Sequence, residues 1–176
     1  SDIARHSNLA GGFSVLGEFA PPGVTYPNGC HICEVEIDPK TGKIIICGYV
    51  VVEDVGTVLN PELVIGQMHG GVTQGIGQAL GESLQFDPQG QLLNGSFLDY
   101  PMLVATDLPQ FQISTIAVPT AVNPLGAKGV GEAGTVGSLA ATMNAVSDAL
   151  ALVGVTDFEM PATPFRVWQA LQRRSK

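Results

Sequence analysis

Between Asn123 and Gly134 the chain reads Asn-Pro-Leu-Gly-Ala-Lys-Gly-Val-Gly-Glu-Ala-Gly, which sets one carboxylate, Glu132, among Gly126, Gly129, Gly131 and Gly134. A carboxylate held on a bare backbone can act as a general base toward a group lying against it. Glycine costs conformational entropy wherever a side chain would serve, so this density predicts positive φ or the close approach of something bulky. Behind the loop, Val136, Leu139, Ala140, Met143, Val146, Leu150 and Val153 recur at helical spacing and place Glu132 at or just before a helix N-terminus. An acid there can equally do no more than offset the helix dipole, worth about 0.3–1 kcal/mol. Spacing alone leaves both readings open.

A second chemical surface lies on the helix that Asn60-Pro61-Glu62 opens, with Asn as N-cap, Pro at the first helical position and an acid in the first turn. It is expected to run to about Ser83. Val64, Met68, Val72, Ile76 and Leu80 form its apolar stripe, while Gln67, Gly70, Gly71, Gln74, Gly77 and Gln78 take the other side. Gly66, Gly70, Gly71, Gly75 and Gly77 would each cost about 1 kcal/mol against alanine in a free helix, so tertiary contact must compensate. Gln67 and Gln74 offer amide donors and acceptors there, either to a flat ligand or at the edge of close helix packing.

The elements that must hold these surfaces are short. Residues 1–28, with Gly11-Gly12, Pro21-Pro22-Gly23 and Pro27-Asn28, read as an extended arm or connector, leaving 29–176 as one domain. His31, Cys33, Val35 and Ile37 alternate with Ile32, Glu34 and Glu36, the pattern of a strand with one face buried. After the turn Asp38–Gly42, Lys43–Val52 is a second strand whose apolar run predicts burial on both faces and Cys47 in the core. Phe111–Val118 is a further strand. The tail offers Thr163 as N-cap and Pro164 in the first turn of a short helix anchored by Trp168 and Leu171. The fold class is therefore α+β: two layers, a sheet packed against helices, with an irregular N-terminal arm. Neighbouring strand residues face opposite ways, so Cys30, His31 and Cys33 do not converge on a metal, and no residue is expected to ligate one.

Composition narrows the function. Charged residues are only 14% of the chain, well below the roughly 25% of ordinary soluble domains, which suggests a surface partly covered by another protein. Net charge is −8 with no basic stripe, against nucleic-acid binding. No apolar run approaches the roughly 20 residues of a membrane span. Three cysteines, an odd number, without a signal peptide fit a reducing, cytoplasmic compartment. The missing initiator Met suggests a piece of a longer polypeptide.

Gly129-Val-Gly131-Glu-Ala-Gly134 formally matches the dinucleotide-binding pattern, but no strand leads directly into it and no βαβ unit follows. Taken in order, Tyr26-Pro-Asn-Gly-Cys-His31, Asp54-Val-Gly56 with Leu59-Asn-Pro61, Gly66-Gln-Met-His-Gly-Gly71 with Gln74-Gly-Ile-Gly77, Ser96-Phe-Leu-Asp-Tyr100, and the Asn123–Gly134 loop resemble another family. It is the molybdopterin-binding large subunit of the molybdenum hydroxylases: xanthine dehydrogenase, aldehyde oxidoreductase and the aerobic carbon monoxide dehydrogenase large chain. The resemblance implies the C-terminal portion of such a subunit, with Glu132 as catalytic base and Gln67 on the pterin. Gln74, Gly129 and Gly131 are expected to complete the cofactor contact. It implies a molybdenum–molybdopterin cofactor in the cytosine dinucleotide form, and the N-terminal portion of the same subunit as partner. Iron–sulfur and FAD centres are expected on further partner subunits, and an aldehyde, N-heterocycle or related small molecule as substrate. The competing expectation is a binding or assembly module that holds no cofactor, and beyond it a nucleotide-binding domain.

Overall fold

The computed structural model describes residues 16–173, so the first half of the expected arm lies outside the described residues. Residues 16–27 hold no helix or strand. Strand β1 (Asn28–Ile37) turns through Asp38–Gly42 into β2 (Ile44–Asp54), and the two pair antiparallel. The Asp38 carboxylate holds the turn by accepting from the Lys40 amide at 2.9 Å and the Thr41 hydroxyl at 2.7 Å. Strand β3 (Gln112–Thr115) lies parallel to β2 on its other side, giving a mixed sheet ordered β1-β2-β3.

The hairpin is not regular, and its irregularity decides which side chains face inward. Ile37 pairs with Ile44 and Val35 with Ile46, but a bulge between Glu34 and Val35 shifts the register, so Glu34 meets Gly48 and His31 meets Val51. One inserted residue flips every later side chain to the other face. Ile44 and Ile46 therefore point inward before the bulge, and Tyr49, Val51 and Glu53 after it. This corrects the expectation of burial on both faces: Ile45 is 47% exposed and Cys47 is an exposed thiol, not a core residue. β1 alternates as its sequence predicts, with His31, Cys33, Val35 and Ile37 turned inward.

Three helices cover the inner face. Helix α1 (Pro61–Leu80) starts where the Asn60 side chain accepts from the Leu63 amide at 3.1 Å and stops at Gly81, three residues before the expected end. Helix α2 (Ala133–Ala151) follows the glycine loop directly. Helix α3 (Pro164–Arg173) is capped by Thr163, whose hydroxyl accepts from the Arg166 amide at 3.4 Å. Val72 and Ile76 of α1 pack on Ile46, Tyr49 and Val51 of β2 and on Phe111. Val146 and Leu150 of α2 pack with Val167 of α3 against Val35, Ile37 and Ile44. Each such side chain contributes about 1.5–3 kcal/mol of apolar burial. Val167, fully buried, is the anchor of α3, with Leu171 packed beside it; Trp168, expected to anchor it, is 38% exposed and stacks on Phe165.

Candidate functional site

The glycine loop is held by hydrogen bonds over residues 123–128. The Asn123 side chain staples it by donating to the Ala127 carbonyl at 2.8 Å and accepting from the Ala127 amide at 3.2 Å. Gly126 adopts φ +67°, a conformation that side chains disfavour, and its carbonyl accepts from Thr57 and Thr120. The loop then docks on the end of β2: the Lys128 amide donates to the Val55 carbonyl at 2.9 Å, and its ammonium pairs with Asp54. Asp54 also accepts from the amides of Gly56 and Val118. Lys128, ahead of the Gly56 amide, holds the Asp54 carboxyl below the usual carboxylate range. This pairing explains Asp54-Val-Gly56, a motif whose local role the sequence did not disclose.

Glu132 occupies the N-cap position of α2, is exposed, and makes no capping hydrogen bond. Its carboxylate is therefore not committed to closing the helix. Gln67 reaches from α1 to the same loop and donates to the Gly131 carbonyl at 2.9 Å. Gln74 accepts from the Thr135 hydroxyl at 3.2 Å, which also contacts the Gly71 carbonyl at 3.1 Å. Both glutamines thus meet the segment carrying Glu132. Gln67 and Glu132 nevertheless line different clefts: Gln67 one with Val55, Leu59, Leu63 and Lys128, and Glu132 one with His31, Glu53 and Val136.

The glycines separate into two sets. A Cβ added at Gly71 would lie 2.9 Å from the Thr135 nitrogen, and one at Gly75 would lie 2.0 Å from Ser138 Oγ and 2.8 Å from the Thr135 carbonyl. At Gly134 it would meet the Met68 carbonyl at 2.9 Å. These glycines let α1 and α2 cross backbone on backbone, which is the close-packing reading of the glycine-rich helix. Gly66, Gly70, Gly129 and Gly131 differ: a Cβ at any of them would meet nothing within 4 Å, and none has positive φ. Here bare backbone from helix and loop, beside an exposed Gln67, fronts open space.

The cleft shared by Glu132 has a volume of about 590 Å³. In its wall His31 and Glu53, with side chains only 4% and 5% exposed, meet at 3.0 Å between Nε2 and Oε1. The Tyr49 hydroxyl lies 3.0 Å from His31 Nδ1, and burial raises the phenol above its ordinary value. Among the described residues, Glu53 Oε2 is buried without a hydrogen-bond partner. This cluster was missed in the sequence: its members are on two strands, and only the bulge brings them to one face. Beside it, burial pushes the Cys33 thiol up to about 11, opposed by the Thr142 hydroxyl, so it stays protonated and unreactive near neutrality.

Residues 5–109 match the family described as molybdopterin cofactor-binding domain, a range that includes Gln67 and Gln74 and ends before the glycine loop. The chain is 39% identical over 175 residues to the carbon monoxide dehydrogenase large chain of Hydrogenophaga pseudoflava, covering 98% of this chain and 22% of that one. It is 43% identical over 145 residues to the nicotine 6-hydroxylase large subunit of Paenarthrobacter nicotinovorans, covering 82% of this chain and 18% of the relative. Among solved structures, a Cu,Mo-CO dehydrogenase in its carbon monoxide-reduced state superimposes with a TM-score of 0.89 at 33% identity, over 98% of this chain and 22% of that one. The chain thus spans about a fifth of the length of these relatives.

Proposed function

Because the chain belongs to the molybdopterin cofactor-binding domain family, as part of a molybdenum hydroxylase large subunit, we propose that it presents Glu132 as general base to a molybdenum–molybdopterin cofactor. The observation that carries this reading is an exposed carboxylate with no capping hydrogen bond, on the loop that Gln67 joins to α1, where Gly66, Gly70, Gly129 and Gly131 each leave open space. Those residues fit the group. Gly66 and Gly70 on α1 and Gly129 and Gly131 on the loop would let a flat ring system lie against the backbone, with Gln67 hydrogen-bonding at its edge. Gln74, braced on Thr135, would hold the first turn of α2 in register with that surface.

When bound, the molybdenum centre would supply an oxygen nucleophile and take up the hydride equivalent, hydrogen and two electrons, released as the substrate C–H bond breaks. Glu132 would orient that nucleophile and accept its proton on a carboxylate oxygen as the C–O bond forms. The Asn123 staple and the Asp54–Lys128 pair would keep this base from drifting, since small misplacements cost rate steeply. The substrate class is an aldehyde, N-heterocycle or related small molecule. The remainder of the large subunit would supply the opposite wall of the pocket, with residues 29–176 as the cofactor-binding unit and 1–28 as its connector. The cytosine dinucleotide form of the cofactor, partner subunits carrying iron–sulfur and FAD centres, and a cytoplasmic setting complete the proposal.

The test is Glu132→Gln in the complete enzyme. Turnover should fall by about 10²–10⁴-fold, the usual contribution of a general base, with molybdenum content unchanged. Near-normal turnover would remove Glu132 from this role and favour a module that only binds or assembles.

A further inference from the structure

We propose that the buried His31–Glu53 pair is the station to which Glu132 passes its proton between turnovers, an inference that rests on Glu132 being the base. A base that has taken a proton must lose it before it can act again. Once a cofactor and the rest of the subunit cover the loop, the way out that this chain itself offers is the cleft of about 590 Å³ in whose wall the pair lies.

The wall between the pair and the cleft is thin. A Cβ added at Gly29 would fall 2.2 Å from the Glu53 carboxylate, and one at Gly137 would fall 2.5 Å from the His31 ring. Both positions line the cleft with Glu132, as do His31 and Glu53 themselves, so side-chain-free backbone lies against the carboxylate on one side and the imidazole on the other. Glu53 Oε2 has no partner and almost no exposure, and an unsatisfied buried carboxylate oxygen is costly. Uptake of one proton by the pair would offset a buried carboxylate charge. Tyr49, beneath the ring at 3.0 Å, anchors Nδ1 and leaves Nε2 directed at Glu53. The other titratable groups along the cleft are Tyr26, Cys30 and Glu132 itself.

In the transfer, the O–H bond of protonated Glu132 breaks, a water in the cleft relays the proton, and a bond to hydrogen forms at the pair. The proton then passes from the pair to cleft water that exchanges with solvent, leaving Glu132 ionised. No electrons move, and no co-reactant beyond water is required.

Glu53→Gln in the complete enzyme keeps the shape and removes the proton acceptor. We expect steady-state turnover to drop at least about tenfold, short of the roughly 10²–10⁴-fold of direct proton transfer. Molybdenum content and the rate of first anaerobic reduction by one equivalent of substrate should be unchanged. Normal steady-state turnover in Glu53→Gln would overturn the relay. Undiminished first reduction in Glu132→Gln would instead overturn the assignment of the base. A second readout needs no turnover: in the cofactor-free complete subunit with isotope-labelled histidine, Glu132→Gln should move the His31 titration midpoint downward, because a facing negative charge is removed. This decides the matter if Glu53→Gln fails to fold, since an unmoved midpoint also overturns the proposal.

Discussion

Gln67 spends one amide hydrogen bond on the Gly131 carbonyl, and its position beside Gly66 and Gly70 is what ties the loop to the open glycine surface. Gln67→Ala should therefore lower the molybdenum content of the complete enzyme. Unchanged content with lowered stability would make the glutamine a brace between helix and loop. Asp54 responds to acid. Its carboxyl is depressed in the folded state, so the stabilisation is present above its unfolded value and is lost as pH falls through the folded one. Protection of the amides of residues 123–131, taken relative to their intrinsic exchange rates, should fall as pH drops below about 4, and Lys128→Met should lower the protection near neutrality and shrink that pH-dependent fall. Unaltered protection in Lys128→Met would show that the backbone bonds to Val55 and Thr57 suffice. At this scale Glu132 and Gln67 were legible in the sequence as candidates, and a hydrogen bond from Gln67 to Gly131 joins their segments. His31, Tyr49 and Glu53 were not, because an unbulged hairpin would have sent His31 and the latter two to opposite faces.

On α1 the same residue type serves two purposes, and substitution by alanine separates them. Gly75→Ala places a carbon 2.8 Å from the Thr135 carbonyl and 2.0 Å from Ser138 Oγ, and backbone cannot step aside cheaply. Such overpacking costs about 1–3 kcal/mol, read as a lower thermal midpoint. Gly70→Ala meets nothing and should raise helix stability by up to about 1 kcal/mol. It should nonetheless reduce cofactor content, because the new methyl occupies the surface assigned to the ring system. Gly70→Ala with full cofactor content would show that this surface is not used. The helices themselves were readable because period and caps agreed: Asn60, Thr163 and the apolar repeat after Glu132 each mark a real boundary. β3 is shorter than its apolar run because the Ile116 amide still reaches the Glu53 carbonyl, but that of Val118 turns to the Asp54 carboxylate. Sequence period reports burial, and it cannot report which partner a backbone amide selects.

Across the whole chain, apolar side chains stand in the open near the site: Leu59, Leu63, Leu125 and Val136 are all more than 60% exposed. With charge at only 14%, these residues fit a surface that the remaining four fifths of a large subunit would cover. The chain alone should show no turnover, whereas the complete subunit with its partners should. No helix among the described residues is long and apolar enough to cross a membrane. The α+β class was legible from element order, whereas the exposed apolar residues beside the site were not, because sequence period alone reads them as buried. The most direct check is anaerobic reduction of the molybdenum centre by one equivalent of substrate, followed spectroscopically in the wild-type enzyme and in Glu132→Gln at matched metal content. Reduction slowed by about 10²-fold or more in the variant is the predicted result; reduction as fast as in the wild type would contradict a proton-accepting Glu132.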